Sequence, residues 1–532
     1  MIRGIQSQGP GYFRNRVNLL MNALKLAIIG GGPSAFYVAS RILKLLPSEK
    51  FQNLRVHLFD RLWAPHGLVR YGVAPDHPEV KARKFGEAHG LGIGQCGPFF
   101  SSIYTFLLIL SKNCTHKFDT TAEDSRFLFF GNVDVGDTAH TIPYALRLPL
   151  SSVFENYSHV VFATGCTLPT LHEALPQSPY CIPALSLVHW YTQHPDTPSP
   201  PPLDKLLHVS IIGNGNVSLD VARMLLTNVK VLSQYDVPQP VLELLSRSTV
   251  KHVSIIGRRG PLEAAFTTKE LREMINLPEA YMVPLDPSFL AAPPSHPPLT
   301  RQQSRILQLL QQGSKIQPGT TPKSWSLHFF RSPTGLVPPN ADSSAQLSLS
   351  HTALDPRTNR AVSTGETSTL STDLVITSLG FRSEPTADFY DPGLRHLRTV
   401  SGRIINNSGA TLKNIYASGW AATGAKGVLA STMMDAYGVA DTIVSDWQAN
   451  GENGQDKILN LEEPPPEVQT ALKEGLVTDY IDWKKIDEEE VKRGQAIGKE
   501  RERMGWIEAS KFLNKLRPAM KINHTGLIYN RE

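Results

Sequence analysis

The sequence predicts an α/β protein with two Rossmann-like dinucleotide-binding domains, the second inserted within the first. Two observations carry most of this reading: an apolar strand, glycine turn and helix at residues 26–46, and a second such run at residues 209–223. A third is the apolar strand at residues 374–380, which ends in glycine and is placed to return the chain from the second domain to the first.

In the first run, Leu26 to Ile29 lead into Gly30-Gly31-Gly32-Pro33-Ser34-Ala35 and a helical stretch to Leu46, and a second strand ends at Asp60. Gly30 permits the tight turn, and Gly32 lets the backbone approach a pyrophosphate. Ala35 is small enough to keep helix and strand close. The helix N-terminus offers free N–H groups and a positive dipole end to the phosphates. Asp60 would accept from the adenosine ribose hydroxyls. The alternative is a glycine turn used only for packing.

In the second run, Val209 to Ile212 precede Gly213-Asn214-Gly215-Asn216-Val217 and a helix through Asp220 to Arg223. The strand at the other end of this unit, Val253 to Gly257, is followed by Arg258-Arg259. An acid at that place repels a ribose 2′-phosphate, whereas paired arginines bind it bidentately. The first site therefore fits FAD and the second NADP(H); the alternative for the arginines is a solvated strand end. Glu270, on a helix expected over residues 268–275, reaches for a nicotinamide amide or a ribose hydroxyl, with a solvated helix acid as the alternative. Farther on, a strand at residues 415–419 and a glycine turn precede a helix from Ala430 to about Trp447. They could hold the flavin's ribityl chain and ring from a second side.

The 532 residues suffice for two or more domains, and 41% hydrophobic with 19% charged residues is a globular composition. A net charge of +5 does not argue for nucleic acid, but it suits a local basic face for an acidic protein. Cys96, Cys114, Cys166 and Cys181 include no C-x-x-C, which disfavours a redox disulfide and a cysteine-held cluster; no metal site is expected. Residues 1–25 carry Arg3, Arg14, Arg16 and Lys25, and the first acid is Glu49. With Phe13, Val17, Leu20 and Leu24 at helical spacing, they read as a mitochondrial presequence, the alternative being a frayed extension. The apolar run at residues 99–110 is too short to span a bilayer. The expected divisions are the presequence at 1–25, the first part of the FAD domain at 26–167, the NADP domain at 168–380, and the rest of the FAD domain with a C-terminal extension at 381–532.

Several long motifs resemble the mitochondrial NADPH:adrenodoxin (ferredoxin) oxidoreductase family: Gly67 to Lys81 (GLVRYGVAPDHPEVK), Gly213 to Arg223, Ile256 to Met274 (IGRRGPLEAAFTTKELREM), Phe329 to Pro333 (FFRSP), Ser418 to Asp435, and Asp482 to Gly494. The resemblance covers about residues 26–81 and 113–510. It implies the disulfide-reductase-like flavoprotein fold, with FAD held among Ser34, Asp60, Leu68, Val135, Trp420, Gly427, Val428 and Leu429. It implies NADPH on Asn214, Gly215, Asn216, Val217, Arg258, Arg259, Glu270 and Gly427. Arg272, Arg301 and Arg305 match arginines that dock an acidic 2Fe–2S ferredoxin. His77 and Asp220 match a pair assigned to proton handling or to coupling with the ferredoxin face; pinning the Pro75–Pro78 turn is the alternative for His77.

Ser34 and Ala35 replace the family's alanine and glycine, Asp60 replaces a glutamate, and Ala421-Ala422 lacks a basic pair. Residues 82–112 have no family counterpart and read as an unspliced intron or misassigned exon. The activity implied is hydride transfer from NADPH to flavin and single-electron transfer to ferredoxin, in support of mitochondrial cytochrome P450, iron–sulfur or haem pathways. The implied place is the matrix or the matrix side of the inner membrane, where any membrane association would be peripheral. A flavin monooxygenase, a disulfide reductase and a non-catalytic nucleotide-binding scaffold are the competing readings.

Overall fold

The computed structural model describes residues 23–77, 114–136, 142–196, 198–291, 297–340, 344–385, 387, 389–450 and 459–516. The segment 82–112 and all but the last three residues of the expected presequence lie outside them. Those three already belong to the fold: Leu24 is buried, and Lys25 opens the first strand. The Lys25 ammonium donates to the carbonyls of Asn460 and Glu463 at 2.6 and 2.7 Å, and burial lowers its pKa to about 8.

The first unit runs β1 (Lys25–Ile29), α1 (Pro33–Leu45), β2 (Arg55–Asp60), α2 (Leu68–Tyr71), β3 (Phe127–Gly131), the short pair β4 (Val133–Val135) and β5 (Leu146–Leu148), and β6 (His159–Phe162). Its strands are parallel, with β1 between β2 and β6 and β3 beyond β2. Leu26, Ala27 and Ile28 are fully buried. Both faces of a parallel sheet are covered, so its strands need continuous apolar runs rather than alternation.

The chain leaves through β7 (Leu168–Pro169) into a second unit: β8 (Cys181–Pro183), α3 (Ala184–Tyr191), β9 (His208–Ile212), α4 (Asn216–Leu226), β10 (His252–Ile256), α5 (Thr268–Ile275), β11 (Ala280–Met282), α6 (Arg301–Gln312) and β12 (Lys323–His328). Three antiparallel strands follow, β13 (Arg331–Val337), β14 (Ala345–Leu354) and β15 (Ala361–Thr372), before β16 (Leu374–Thr377) rejoins the parallel sheet. Its order is β11-β12-β10-β9-β16-β8. A capping box of Thr300 and Gln303 starts α6, and the Thr267 side chain caps α5.

The chain returns through β17 (Phe381–Arg382), which pairs antiparallel with β7. Departure and return therefore lie side by side, as an inserted domain requires. The first unit is then completed by β18 (Tyr390–Asp391), β19 (His396–Leu397), β20 (Thr399–Val400), β21 (Arg403–Ile405) and β22 (Thr411–Ala417). Among the described residues its sheet order is β20-β21-β22-β6-β1-β2-β3. Helix α7 (Leu429–Asn450) shares a core with α1, joining Ala35, Phe36 and Ala39 to Ala436 and Ala440.

The C-terminal extension, with α8 (Tyr480–Ala496), ties the two units together. Glu490 is fully buried and accepts from Arg70 at 2.8 and 3.0 Å, from Arg501 at 2.9 Å and from the Met504 amide at 2.9 Å. Two residues beyond Arg501, Arg503 pairs with Asp236 of the second unit through a 2.7 Å bond from Nε. No helix among the described residues is long and apolar enough to cross a membrane.

Candidate functional site

The first glycine turn joins the end of β1 to α1. Gly30 turns there with φ +107°, and a Cβ on Gly30 or Gly31 would strike Ala163 or Asp60. A Cβ on Gly32 would meet nothing within 4 Å, so the space before the helix N-terminus is open for a pyrophosphate. The α2 turn closes over it: the His66 amide donates to the Gly31 carbonyl at 2.8 Å, and a Cβ on Gly67 would stand 3.1 Å from Gly32 Cα. With φ +44° and this approach, position 67 requires glycine. Leu68, next in the chain, is exposed beside the turn.

Asp60 ends β2 buried, and its Oδ1 accepts from the Leu62 amide at 3.1 Å. Burial pushes its pKa up to about 7. A buried carboxylate with remaining acceptor capacity fits ribose hydroxyls, which supply the missing donors. Val135 closes β4, half-buried. On the far side of the turn, Ser34 Oγ donates to Ser418 Oγ at 2.7 Å, bringing the 418–429 segment against α1. Trp420 Nε1 donates to the Lys426 carbonyl at 2.9 Å, so the tryptophan holds the turn that carries Gly427 and Val428, both exposed, into Leu429. The glycine turn after β1, the turn at Gly67 and the start of the 418–429 segment thus lie against one another.

The second glycine turn repeats this geometry between β9 and α4. Gly213 has φ +133° and its amide bonds the Ile256 carbonyl at 2.8 Å; a Cβ on Gly215 would meet open space. Asn216 and Val217 open α4, and Asn216 Oδ1 accepts from the Thr267 amide at 2.8 Å, tying that helix to the α5 cap. The Asn214 Oδ1 and Ser218 Oγ atoms are buried without a hydrogen-bond partner among the described residues. Buried polar atoms are rarely left so. Arg258 is exposed and Arg259 half-buried directly after β10, where a 2′-phosphate on the adenosine ribose would lie. Glu270 is half-buried on α5 with no hydrogen-bond partner at Oε2 among the described residues, and burial, then the Asp220 charge, raises its pKa. Both donor sets therefore fit the dinucleotides that the sequence assigns to them.

Between the two cradles lies a charged cluster that sequence reasoning saw only in part. His77 Nε2 is 3.8 Å from Asp220 Oδ1, too far for a hydrogen bond. Arg223 fills the gap: its Nη2 reaches Asp220 at 2.8 Å and His77 Nε2 at 2.6 Å, and its Nε bonds Asp76 at 2.5 Å. Glu273 Oε2 stands 3.2 Å from His77 Nε2, and Lys269 Nζ is 3.2 Å from Nδ1. Burial raises the Asp220 pKa against the pull of Arg223 and His77. At Glu273, burial is outweighed by His77, Arg223 and Lys269, which hold the carboxyl below its ordinary range. His77 therefore contacts Arg223, Glu273 and Lys269 of the second unit as well as its own turn. Asp76, Arg223, Lys269 and Glu273 lie within the motifs quoted above, but a buried guanidinium serving three acceptors has no sequence signature. The i, i+3 spacing of Asp220 and Arg223 on α4 was the available hint.

Arg272 lies exposed on α5, the helix whose other residues reach His77; Arg301 and Arg305 lie exposed on α6, which packs beside it.

No protein-family model matches the chain. The chain is 34% identical over 503 residues to human NADPH:adrenodoxin oxidoreductase, mitochondrial, covering 90% of each chain. It is 31% identical over 490 residues to the Drosophila melanogaster protein of the same name, covering 91% of this chain and 92% of that one. NADPH-ferredoxin reductase FprA of Mycobacterium tuberculosis is 32% identical over 497 residues, covering 90% and 97%. Two solved structures of FprA, one with a covalently modified NADP+ and one in complex with NADPH, superpose with TM-scores of 0.76 and 0.73 at 29% identity, each covering 92% of this chain and 99% of FprA. The chain belongs to the NADPH:adrenodoxin oxidoreductase family, as an FAD flavoprotein that uses NADP(H).

Proposed function

We propose that this enzyme carries electrons from NADPH to an acidic 2Fe–2S ferredoxin, in the mitochondrion, for a cytochrome P450, iron–sulfur or haem pathway. The observation that carries the reading is the contrast between the two cradles, a buried acid at the end of β2 and paired arginines at the end of β10. The bound flavin supplies the chemistry, accepting a hydride and releasing electrons one at a time. The protein's part is to position and to shield. Gly32, Ser34, Asp60 and the Trp420–Leu429 turn hold the flavin nucleotide, while Asn214–Val217, Arg258, Arg259 and Glu270 hold NADPH.

His77 is set to move a proton between its two nitrogens. With the proton on Nε2, that nitrogen donates to Glu273 and Nδ1 accepts from Lys269; with it on Nδ1, Nε2 accepts from Arg223 and the Lys269 ammonium must move aside. Helix α5 links this cluster to the face bearing Arg272, Arg301 and Arg305, whose charge suits an acidic partner. The mitochondrial names of the human and fly relatives and the acid-free, basic stretch at residues 1–25 support the location.

The test is an anaerobic titration of the purified chain, following flavin absorbance with NADPH and NADH, then reduction of a mitochondrial 2Fe–2S ferredoxin. Bleaching at low NADPH, bleaching only at far higher NADH, and onward reduction of ferredoxin are expected. Rapid oxygen consumption without ferredoxin reduction would replace the reading with a monooxygenase.

A further inference from the structure

Three consecutive carbonyls at the end of β10 are bonded by the elements that follow β12. The Gly257 carbonyl accepts from the Arg331 amide at 2.9 Å, and the Arg259 carbonyl from the Phe330 amide at 3.4 Å. Between them, the Arg258 carbonyl accepts from a side chain, Thr352 Oγ1, at 2.8 Å. Thr352 is 9% exposed and lies in β14, just past the register shift between Ser350 and Thr352. Its own amide donates to the Phe330 carbonyl at 3.0 Å, and Arg331 Nη1 donates to the same carbonyl at 2.9 Å.

The arrangement forces an unusual backbone. Phe330 has φ +53°, a region that bulky residues rarely adopt, and its ring covers Gly260 so closely that a Cβ there would stand 2.6 Å from the ring. Such a conformation persists only where the surroundings over-determine it, and strain of this kind collects at ligand sites. The segment held this way is the one that aims Arg258 and Arg259. Bidentate binding of a phosphate depends on the direction in which a long side chain leaves the backbone.

We propose that Thr352 is a positioning residue for the arginine pair, and that the β13–β15 sheet buttresses the 2′-phosphate subsite and so sets the preference for NADPH over NADH. The inference rests on the reading of Arg258 and Arg259 as the phosphate ligands.

The experiment compares Thr352→Val, Thr352→Ser and Arg258→Ala in the full, flavin-loaded chain. Calorimetric binding of 2′,5′-ADP and of 5′-AMP is measured beside NADPH and NADH kinetics with ferricyanide as acceptor. Losing one hydrogen bond should weaken 2′,5′-ADP and raise the NADPH KM about threefold to tenfold in Thr352→Val. 5′-AMP binding, the NADH KM and kcat should hold, and Thr352→Ser should restore the wild-type values. If Thr352→Val does not fold, Thr352→Ala tests the same loss in a smaller side chain. The proposal is overturned if the valine variant binds 2′,5′-ADP as the wild type does while Arg258→Ala does not, if 5′-AMP weakens in parallel, or if serine fails to rescue. A normal preference for NADPH in Arg258→Ala would instead overturn the arginine reading, and this inference with it.

Discussion

Arg223 Nη2 lies 2.6 Å from Nε2 of His77, 2.8 Å from Asp220 and 3.1 Å from Asp76. One nitrogen with two hydrogens thus faces three acceptors. Protonation of His77 at Nε2 takes one acceptor away from Arg223 and directs that nitrogen to Glu273, 3.2 Å away, so the 2.6 Å contact with Nη2 must lengthen. His77→Gln keeps a polar side chain there but cannot titrate. We expect turnover with ferredoxin to fall by roughly 10²-fold, at the low end for a positioned acid–base group, with FAD content and NADPH affinity retained. The pH–rate profile between pH 5 and 8 is the readout. A wild-type profile in the variant would assign His77 a structural role only.

Arg223 has a second consequence, for stability. Its guanidinium is buried and held firmly charged by Asp76, Asp220 and Glu273. Arg223→Met leaves Asp76 and Asp220 facing one another without a cation. Breaking a buried pair in this way costs about 3–5 kcal/mol, which urea unfolding of the flavin-loaded protein measures. A loss below about 1 kcal/mol would mean that water reaches the cluster.

Asp60 makes the flavin-free protein sensitive to pH. Its folded pKa is about 7, above the ordinary 3.8, so between these values the folded state keeps a proton that the unfolded state has released. Stability of the flavin-free protein is therefore expected to fall as pH rises through this window, by at most about 1.4 kcal/mol per unit. Asp60→Asn should flatten the curve from pH 4 to 7.5 and weaken FAD retention at pH 8. Parallel melting curves for the two proteins would count against a buried, titrating carboxyl.

Arg301 and Arg305 lie on the exposed side of α6, away from the buried Ile306 and Leu310. Reversing both to glutamate should raise the KM for ferredoxin by at least about tenfold and flatten its salt dependence, because steering by a charged face is screened by ions. Ferricyanide reduction by NADPH should be unchanged. Unaltered ferredoxin kinetics would move the docking surface elsewhere.

Much of the frame can be read from residue order alone. The strands β1, β9 and β10 are mostly apolar because they are covered on both faces, with Lys25, Ser210 and Ser254 as buried polar exceptions, and the two glycine turns lie where the motifs place them. Helix α5 spans the expected residues 268–275. The antiparallel sheet β13–β15 was not legible. The β15 segment Ala361–Thr372 is mostly serine, threonine and glycine and mostly exposed, and its strand form comes from pairing with β14 rather than from any apolar alternation. The links made by Arg70 and Arg503 were equally hidden. A sequence rich in Glu, Lys and Arg reads as a solvated surface until its partners, more than two hundred positions away, are known.

The insertion also sets a schedule for synthesis. Strand β6 ends at Phe162, and its outer neighbour β22 includes Ala417, which is paired with Phe162. A ribosome adding 5–20 residues per second needs roughly 12–50 s to cover that interval. During it, the half-built first sheet has β1 on one side of β6 and an unpaired backbone edge on the other, open to other chains. The inserted unit cannot complete its own sheet much sooner, because β16, at residues 374–377, fills the place between β9 and β8. A newborn chain is thus most exposed to aggregation midway through translation, and shielding of nascent protein over this interval should govern how much of it matures.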